Sequence, residues 1–513
     1  MSKMGEFDKK RGAKGESGRV VNFMGGFSYR VDPLLTLEMV AASSIFGEPS
    51  YYRAAKLYDP DEESTTGVFI KAIDDALDYD FGATLKFAVK LREEYLMRLN
   101  PAVIMVRAAM HKSRAAFNAE NRDLMSALLR SVIKIPTDMT AQFDLWSYFN
   151  GSKNRLPSIL KRAWKQTIET LSPYHIAKYK TSAKLIDLIR ICHAKSGDEN
   201  SKLTELMRTG AIVVEESETT WEQLRSVGKS WIEILDQTHI PHQALLRNLR
   251  GIFEENNDKK LCKRVCEQLE NGVEKGKQFP FRYWSALNAV SRSGEINHKA
   301  DLIESLNRCV DRAIANYPKL KGKTICLSDN SGSATGTFYS QYGSVHIAEI
   351  GNLSSILTAI NSDEGFVGCF GDRLEIFAIN KRDGVLSQLA PLNAADVGGN
   401  TENGIWLFFE EAIAKRRFYD NIFIYSDMQA GRGELYGTIE RKFKLRNESG
   451  YMLDGESYQD KSKPNYPYID VAKLVEKYRA AVNEKVNFFS VQTAGYDNNV
   501  LPQLNNRSAI LTG

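Results

Sequence analysis

The chain has 513 residues, 43% hydrophobic and 26% charged, with a formal net charge of +4. This length exceeds one ordinary core and predicts two or three domains. No apolar run approaches the roughly 20 residues that span a bilayer, and residues 1–20 read as a flexible basic tail without the apolar stretch of a secretory signal, so a cytoplasmic protein is expected.

From about residue 32 to 316 the sequence reads as a procession of helices. LLTLEMVAASSIF, PAVIMVRAAMHKS, DLMSALLRSVIK, KLIDLIRICHAK, WEQLRSVGKSWIEILDQ and HQALLRNLRGIF each place apolar residues at i, i+3, i+4 and i+7. Short polar or Gly/Pro breaks separate them. Such a string has no single centre to bury, and it predicts a stacked, HEAT-like α-solenoid over 21–318, with divergent repeats.

The charge is uneven along this stretch. Residues 1–320 hold 48 Lys+Arg against 41 Asp+Glu, and residues 101–200 alone hold 16 against 8. That excess suits a polyanionic partner; an unevenly charged solvated surface is the plainer alternative. Lys178, Tyr179 and Lys180 set two cations around an aromatic, so phosphates could take the lysines while a base stacks on the ring. Arg190 and His193 extend that surface on the next helix. Lys161 and Lys165 share a helix face, and His242, Arg247 and Arg250 cluster on HQALLRNLRG. Packing between helices, with charged heads reaching water, is the alternative for each. Six scattered cysteines, Cys192, Cys262, Cys266, Cys309, Cys326 and Cys369, lack a second close pair, which favours buried thiols over zinc.

After Tyr317-Pro318 the pattern changes. Strand-length apolar runs appear: TICL, FVGCF, EIFAI, NIFIY and NFFSV. Helical stretches at about 344–360, 403–416 and 470–484 alternate with them. The pattern predicts an α/β doubly wound domain over 319–513, mostly parallel, with FVGCF and EIFAI as an antiparallel hairpin. The long polar segment 428–469 is beyond usual loop length.

Ligands of such sheets bind at the carboxyl ends of the strands. SDNSGS follows the first strand, GGNTENG precedes a helix, and YSDMQAG follows NIFIY. Together they offer Asp329, Ser331, Ser333, Thr401 and Asp427, an all-oxygen set suited to a hard divalent cation, Mg²⁺ in particular. A helix-capping turn is the bland alternative. A phosphatase-like nucleophile is disfavoured because Ser331 stands where a second carboxylate is usual. No histidine base sits near the three loops, so no catalytic residue and no enzyme activity are expected.

The three loops resemble the metal-ion-dependent adhesion site of von Willebrand factor A-like domains, although Asn400 separates Gly398-Gly399 from Thr401. A helical solenoid in front of such a domain resembles the Ro autoantigen, or TROVE-module, family. GGFSY, EPSYYRAAKL, IPTD, KYK, DLIRICH, HQALLRNLRGI and FPFRYWSAL carry the likeness in the family's order. The resemblance implies a solenoid closed into a ring by the A-like domain. It implies single-stranded 3′ ends of misfolded non-coding RNA in the hole and structured Y-like RNA on the outer basic surface. It further implies a monomer in RNA quality control and ribonucleoprotein scaffolding, with an acidic protein partner or a ribonuclease as a second possible ligand. The link after Lys180, TSAKLI, is shorter than in the family and lacks its histidine, which bears on the structured-RNA site. A metal-dependent protein-interaction adaptor is the alternative function.

Overall fold

The structure is a computed structural model. It describes residues 19–21, 27–29, 31–43, 64–121, 123–150, 155–171, 183–194, 220–315, 317, 319–335, 346–399, 402–428, 458–459, 467–468, 471–493 and 507–512. Residues 1–18 of the tail, Lys178, Tyr179, Lys180, Thr401 and most of segment 428–469 lie outside these residues, while Arg19 and Val20, read as tail, belong to a strand. Packing divides the chain into two compact units, one drawn from 32–49 and 53–219, the other from 1–31, 50–52 and 220–513.

A short antiparallel ladder, β1 (Arg19–Val21) with β2 (Phe27–Tyr29), comes first. The first unit is then helical: α1 (Pro33–Ser43), α2 (Thr65–Tyr79), α3 (Phe81–Glu93), α4 (Leu99–Met110), α5 (Arg114–Glu120), α6 (Leu124–Ser131), α7 (Pro136–Asn150), α8 (Ser158–Ile168) and α9 (Ala183–Cys192). Asp80 makes the tight turn between α2 and α3, because its backbone closes the first helix and its side chain accepts from Ala83 N at 2.8 Å to open the second. Helix α4 is buried from Asn100 through Val106, as its nearly unbroken apolar sequence demands. The IPTD stretch has a definite structural task. Asp138, 4% exposed, accepts from Arg92 Nη2 and Arg98 Nε at 3.0 Å each and from the amides of Lys134 and Ile135 at the start of α7. A buried carboxylate is tolerable there because two guanidinium groups and two amides compensate it.

The second unit opens with α10 (Trp221–Ser226), α11 (Trp231–Gln237), α12 (His242–Glu255), α13 (Lys259–Gly276), α14 (Pro280–Arg292) and α15 (Lys299–Ile314). WEQLRSVGKSWIEILDQ, read from its periodicity as one helix, is two. Gly228 takes φ +87°, a left-handed conformation costly for other residues, and Ser230 with Glu233 forms a capping box that starts α11. The S-x-x-E signature was present in the sequence and outweighs the continuous apolar spacing.

The sheet that follows comprises β3 (Leu320–Asp329), β4 (Ser362–Phe370), β5 (Leu374–Ala378), β6 (Asn421–Ser426), β9 (Asn487–Gln492) and β10 (Ser508–Thr512); β7 (Tyr458–Gln459) and β8 (Pro467–Tyr468) pair separately. Its order is β10-β9-β6-β3-β4-β5, parallel except for the antiparallel β4/β5 edge. All five expected strands lie within it. Between them run α16 (Gly332–Thr335), α17 (Ile347–Ile360), α18 (Val385–Asn393), α19 (Glu402–Ala414) and α20 (Val471–Ala481). Side chains alternate across the sheet as strand geometry requires. Ile325, Leu327, Ile422 and Ile424 pack with Phe408, Phe409 and Tyr478 from α19 and α20. Cys326, Val367, Phe423 and Val491 join Ile356 and Leu389 on the opposite face. That second core runs on without a break into Leu306, Val310 and Tyr283 of the preceding helices. Trp284 Nε1 donates to Glu349 Oε1 at 3.2 Å across the same junction.

Candidate functional site

Strand β3 lies between β4, which follows it in sequence, and β6, which is followed in the sheet by β9, so the connections that leave the carboxyl ends of β3 and β6 run in opposite directions. Such a switch point opens a crevice at the strand ends. Asp329 is the last residue of β3, and Asp427 follows the last residue of β6. Asp329 is 2% exposed and Asp427 1%. Asp329 Oδ1 accepts from Ser331 N at 2.9 Å, which folds the DNSGS loop back on itself. Its Oδ2 accepts from Ser426 Oγ at 2.6 Å, tying the end of β3 to the end of β6. Ser331 Oγ and Ser333 Oγ stand 3.2 Å apart. Gly332 N donates to Gly399 O at 2.8 Å, and Gly399 N donates to Asp372 Oδ2 at 2.8 Å. These bonds draw Gly399 against the DNSGS loop.

The structure thus gathers Asp329, Ser331, Ser333 and Asp427 at one edge, with the described part of the third loop beside them. Thr401 lies outside the described residues. Burial pushes the Asp329 carboxyl above its usual range, against the lowering effect of the Ser331 and Ser426 hydrogen bonds. Among the described residues its hydrogen-bonding partners are amide and hydroxyl, without a guanidinium or ammonium. The donors are all oxygen, which fits a hard cation. No cluster of three His, Cys, Asp or Glu side chains occurs among the described residues, so the carboxylate pair depends on hydroxyls to complete a set. The backbone turns just after Asp427, where Met428 adopts φ +63° and donates its N–H to Ser426 Oγ at 3.0 Å.

The proposed nucleic-acid residues are more dispersed. In the first unit, Lys161 is exposed on α8, and Lys165, one turn on, lies 3.9 Å from Glu169. Both ammonium groups act on Cys192 of α9, whose thiol burial raises to about 11 in spite of them. Arg190 and His193, also exposed, stand two positions before and one after that cysteine in the chain. Lys178, Tyr179 and Lys180 lie outside the described residues. In the second unit Arg247 is exposed, and Arg250 is exposed with Glu254 at 3.5 Å.

His242 sits differently. It is 7% exposed, its Nε2 lies 2.9 Å from Tyr283 Oη, and its ring rests on Gly272 and Gly276 of α13. The spacing foretells this, since 242, 245, 246, 249, 252 and 253 form the buried stripe of α12. Sequence reasoning passed over Ser426, the residue that joins the two strand ends, because a lone serine carries no signal. It also treated FPFRYW only as a family likeness, although Phe279, Phe281 and Arg282 line an exposed surface beside Arg247.

No family model matches the sequence, and no curated protein matches it. Among solved structures, the chain is similar to the Ro (RSR) protein of Deinococcus radiodurans, with a TM-score of 0.57 at 12% identity, over 93% of this chain and 96% of that one. The chain has the Ro fold; at this identity the likeness speaks for the fold alone.

Proposed function

We propose that this chain is an RNA-binding protein of the Ro type, acting in RNA quality control and ribonucleoprotein scaffolding without catalysis. In this reading the helical part closes into a ring that admits single-stranded 3′ ends of misfolded non-coding RNA. Structured, Y-like RNA uses the outer basic surface. The protein works as a cytoplasmic monomer. The observation that carries the reading is the fold likeness, which spans nearly the whole of both chains. The basic excess of residues 101–200 and the exposed Lys161, Arg190, Arg247 and Arg250 support it, because cations able to reach phosphates supply most of the affinity of such proteins. Sequencing the RNA that co-purifies with the tagged full chain tests it. Enrichment of structured non-coding RNA with single-stranded 3′ tails is expected, and preparations no richer in RNA than a mock purification overturn it.

The crevice at the ends of β3 and β6 favours a second activity. Asp329, Ser331, Ser333, Asp427 and Thr401 would hold a divalent cation, Mg²⁺ by donor chemistry. When bound, the ion supplies positive charge to the buried carboxylates and a coordination point for an acidic partner protein or ribonuclease. Ser426 orients the Asp329 carboxylate, and Ser331 N holds its other oxygen. If the chain is instead a metal-dependent adaptor with no RNA role, partner capture is lost in Asp329→Ala while co-purified RNA stays at background.

A further inference from the structure

Helices α12 and α14 pack side by side and carry a stripe of four arginines, of which Arg250 pairs with Glu254 and Arg282 lies over the Phe281 ring. Arg247 and Arg250 on α12, and Arg282 and Arg292 on α14, are all exposed. No carboxylate stands three or four positions from Arg247 or Arg282. Neither makes an ion pair among the described residues. Arg282 is instead partly desolvated and repelled by Arg247, and both effects pull it below its ordinary value. Adjacent like charges destabilise a fold, so an anion bound between them would relieve a standing cost.

Aromatic surface adjoins the pair. Arg282 Cζ lies 5.0 Å from the Phe281 ring centroid, and Phe279 stacks on Phe281 at 5.8 Å with 9° between planes. Phe281 packs on the core, but Phe279 is 41% exposed. An open aromatic face with cations at its edge is how proteins hold unpaired bases irrespective of sequence. One turn further along both helices lies a cleft of about 500 Å³, lined by Arg250, Arg292, Ser285 and Asn288 and also by Glu295 and by Glu254, the ion-pair partner of Arg250. That is room for a nucleotide-sized group.

We propose that this stripe is a subsite for single-stranded RNA, with a base on Phe279, phosphates on Arg247 and Arg282, and the next nucleotide in the Arg250–Arg292 cleft. The inference rests on the RNA-binding reading and adds the feature that separates single strands from duplexes, whose bases are not available to stack.

The test is fluorescence anisotropy of the full chain with a 5′-labelled mixed-sequence RNA strand and with the same strand annealed as a blunt duplex. Phe279→Leu keeps an apolar side chain but removes the ring; it should weaken single-strand binding by about 5- to 50-fold and leave the duplex within about twofold. Phe279→Trp should retain affinity. The double variant Arg247→Gln/Arg282→Gln should weaken single-strand binding about tenfold or more and flatten its salt dependence. Unchanged melting temperatures would exclude unfolding as the cause. Phe279→Leu binding single strands like the unaltered chain, or losing both forms equally, overturns the subsite while leaving RNA binding intact. An unaltered chain that binds neither form overturns both.

Discussion

The helices of residues 231–314 and the carboxyl edge of the sheet handle polar groups in opposite ways. On the helices, Arg247, Arg250 and Arg292 keep their charges in water and Arg282 is only partly desolvated, over a core of Leu245, Leu249 and Tyr283. At the sheet edge, Asp329, Ser331, Ser333, Ser426 and Asp427 are all 8% exposed or less. A charge in water costs the fold little and can be offered to a ligand. A charge out of water must be compensated, so its removal is felt first in stability. Substitutions in the helices should change what binds, and substitutions at the edge should change how the chain stands up to heat and to cations.

The first unit supplies the sharpest control. Asp138 is buried like Asp329, but two guanidinium groups compensate it. Asp138→Ala leaves Arg92, 10% exposed, with its charge uncompensated; the loss should be about 3–5 kcal/mol by urea unfolding. Asp329→Asn in EDTA should cost far less or even stabilise, since it removes a buried carboxylate charge that amide and hydroxyl alone offset. Equal losses at the two positions would break the comparison.

Magnesium separates them further. At about a hundredfold over its Kd, the ion should stabilise the unaltered chain by about 2.7 kcal/mol, read as a rise in melting temperature. Asp329→Asn should abolish the rise and Asp138→Asn should not. A packing test comes next. A Cβ at Gly276 would meet His242 Cδ2 at 2.5 Å, so Gly276→Ala should cost about 1–3 kcal/mol through overpacking, without altering the salt dependence of RNA binding. If His242 were a ligand contact instead, the salt dependence would change too.

The smallest effect is a pH response. Hydrogen bonds from the Ser230 backbone and side chain and from Lys229 hold Glu233 down from 4.5 to about 2. Its folded-state value is depressed, so its contribution is complete above the ordinary carboxylate range and is lost as pH falls from about 4.5 to about 2. Glu233→Gln should flatten the stability profile in that window alone, by thermal melts from neutral to acid pH.

Much of this was legible from residue order. TICL, FVGCF, NIFIY and NFFSV show as strands because buried parallel strands need continuous apolar runs, and EIFAI shows as the antiparallel edge strand by its closeness to FVGCF. Helix α18 escaped notice because Pro391 lies inside it, and β10 because SAILT is short and mixed. The DNSGS and YSDM loops stood out because they follow strands, but the bond that joins them runs through Ser426, over 97 positions of separation. No local pattern announces such a contact. The Arg247–Arg282 pairing is hidden likewise, since it arises only when α12 and α14 pack.

The most direct test of the account is the affinity of the full chain for a structured RNA with a single-stranded 3′ tail, measured from about 50 to 200 mM salt. The account predicts tight binding at the low end that falls steeply on a log–log plot, by about a factor of a thousand or more if six or more phosphates are engaged. Absence of binding at about 50 mM, or affinity that does not change with salt, would contradict it.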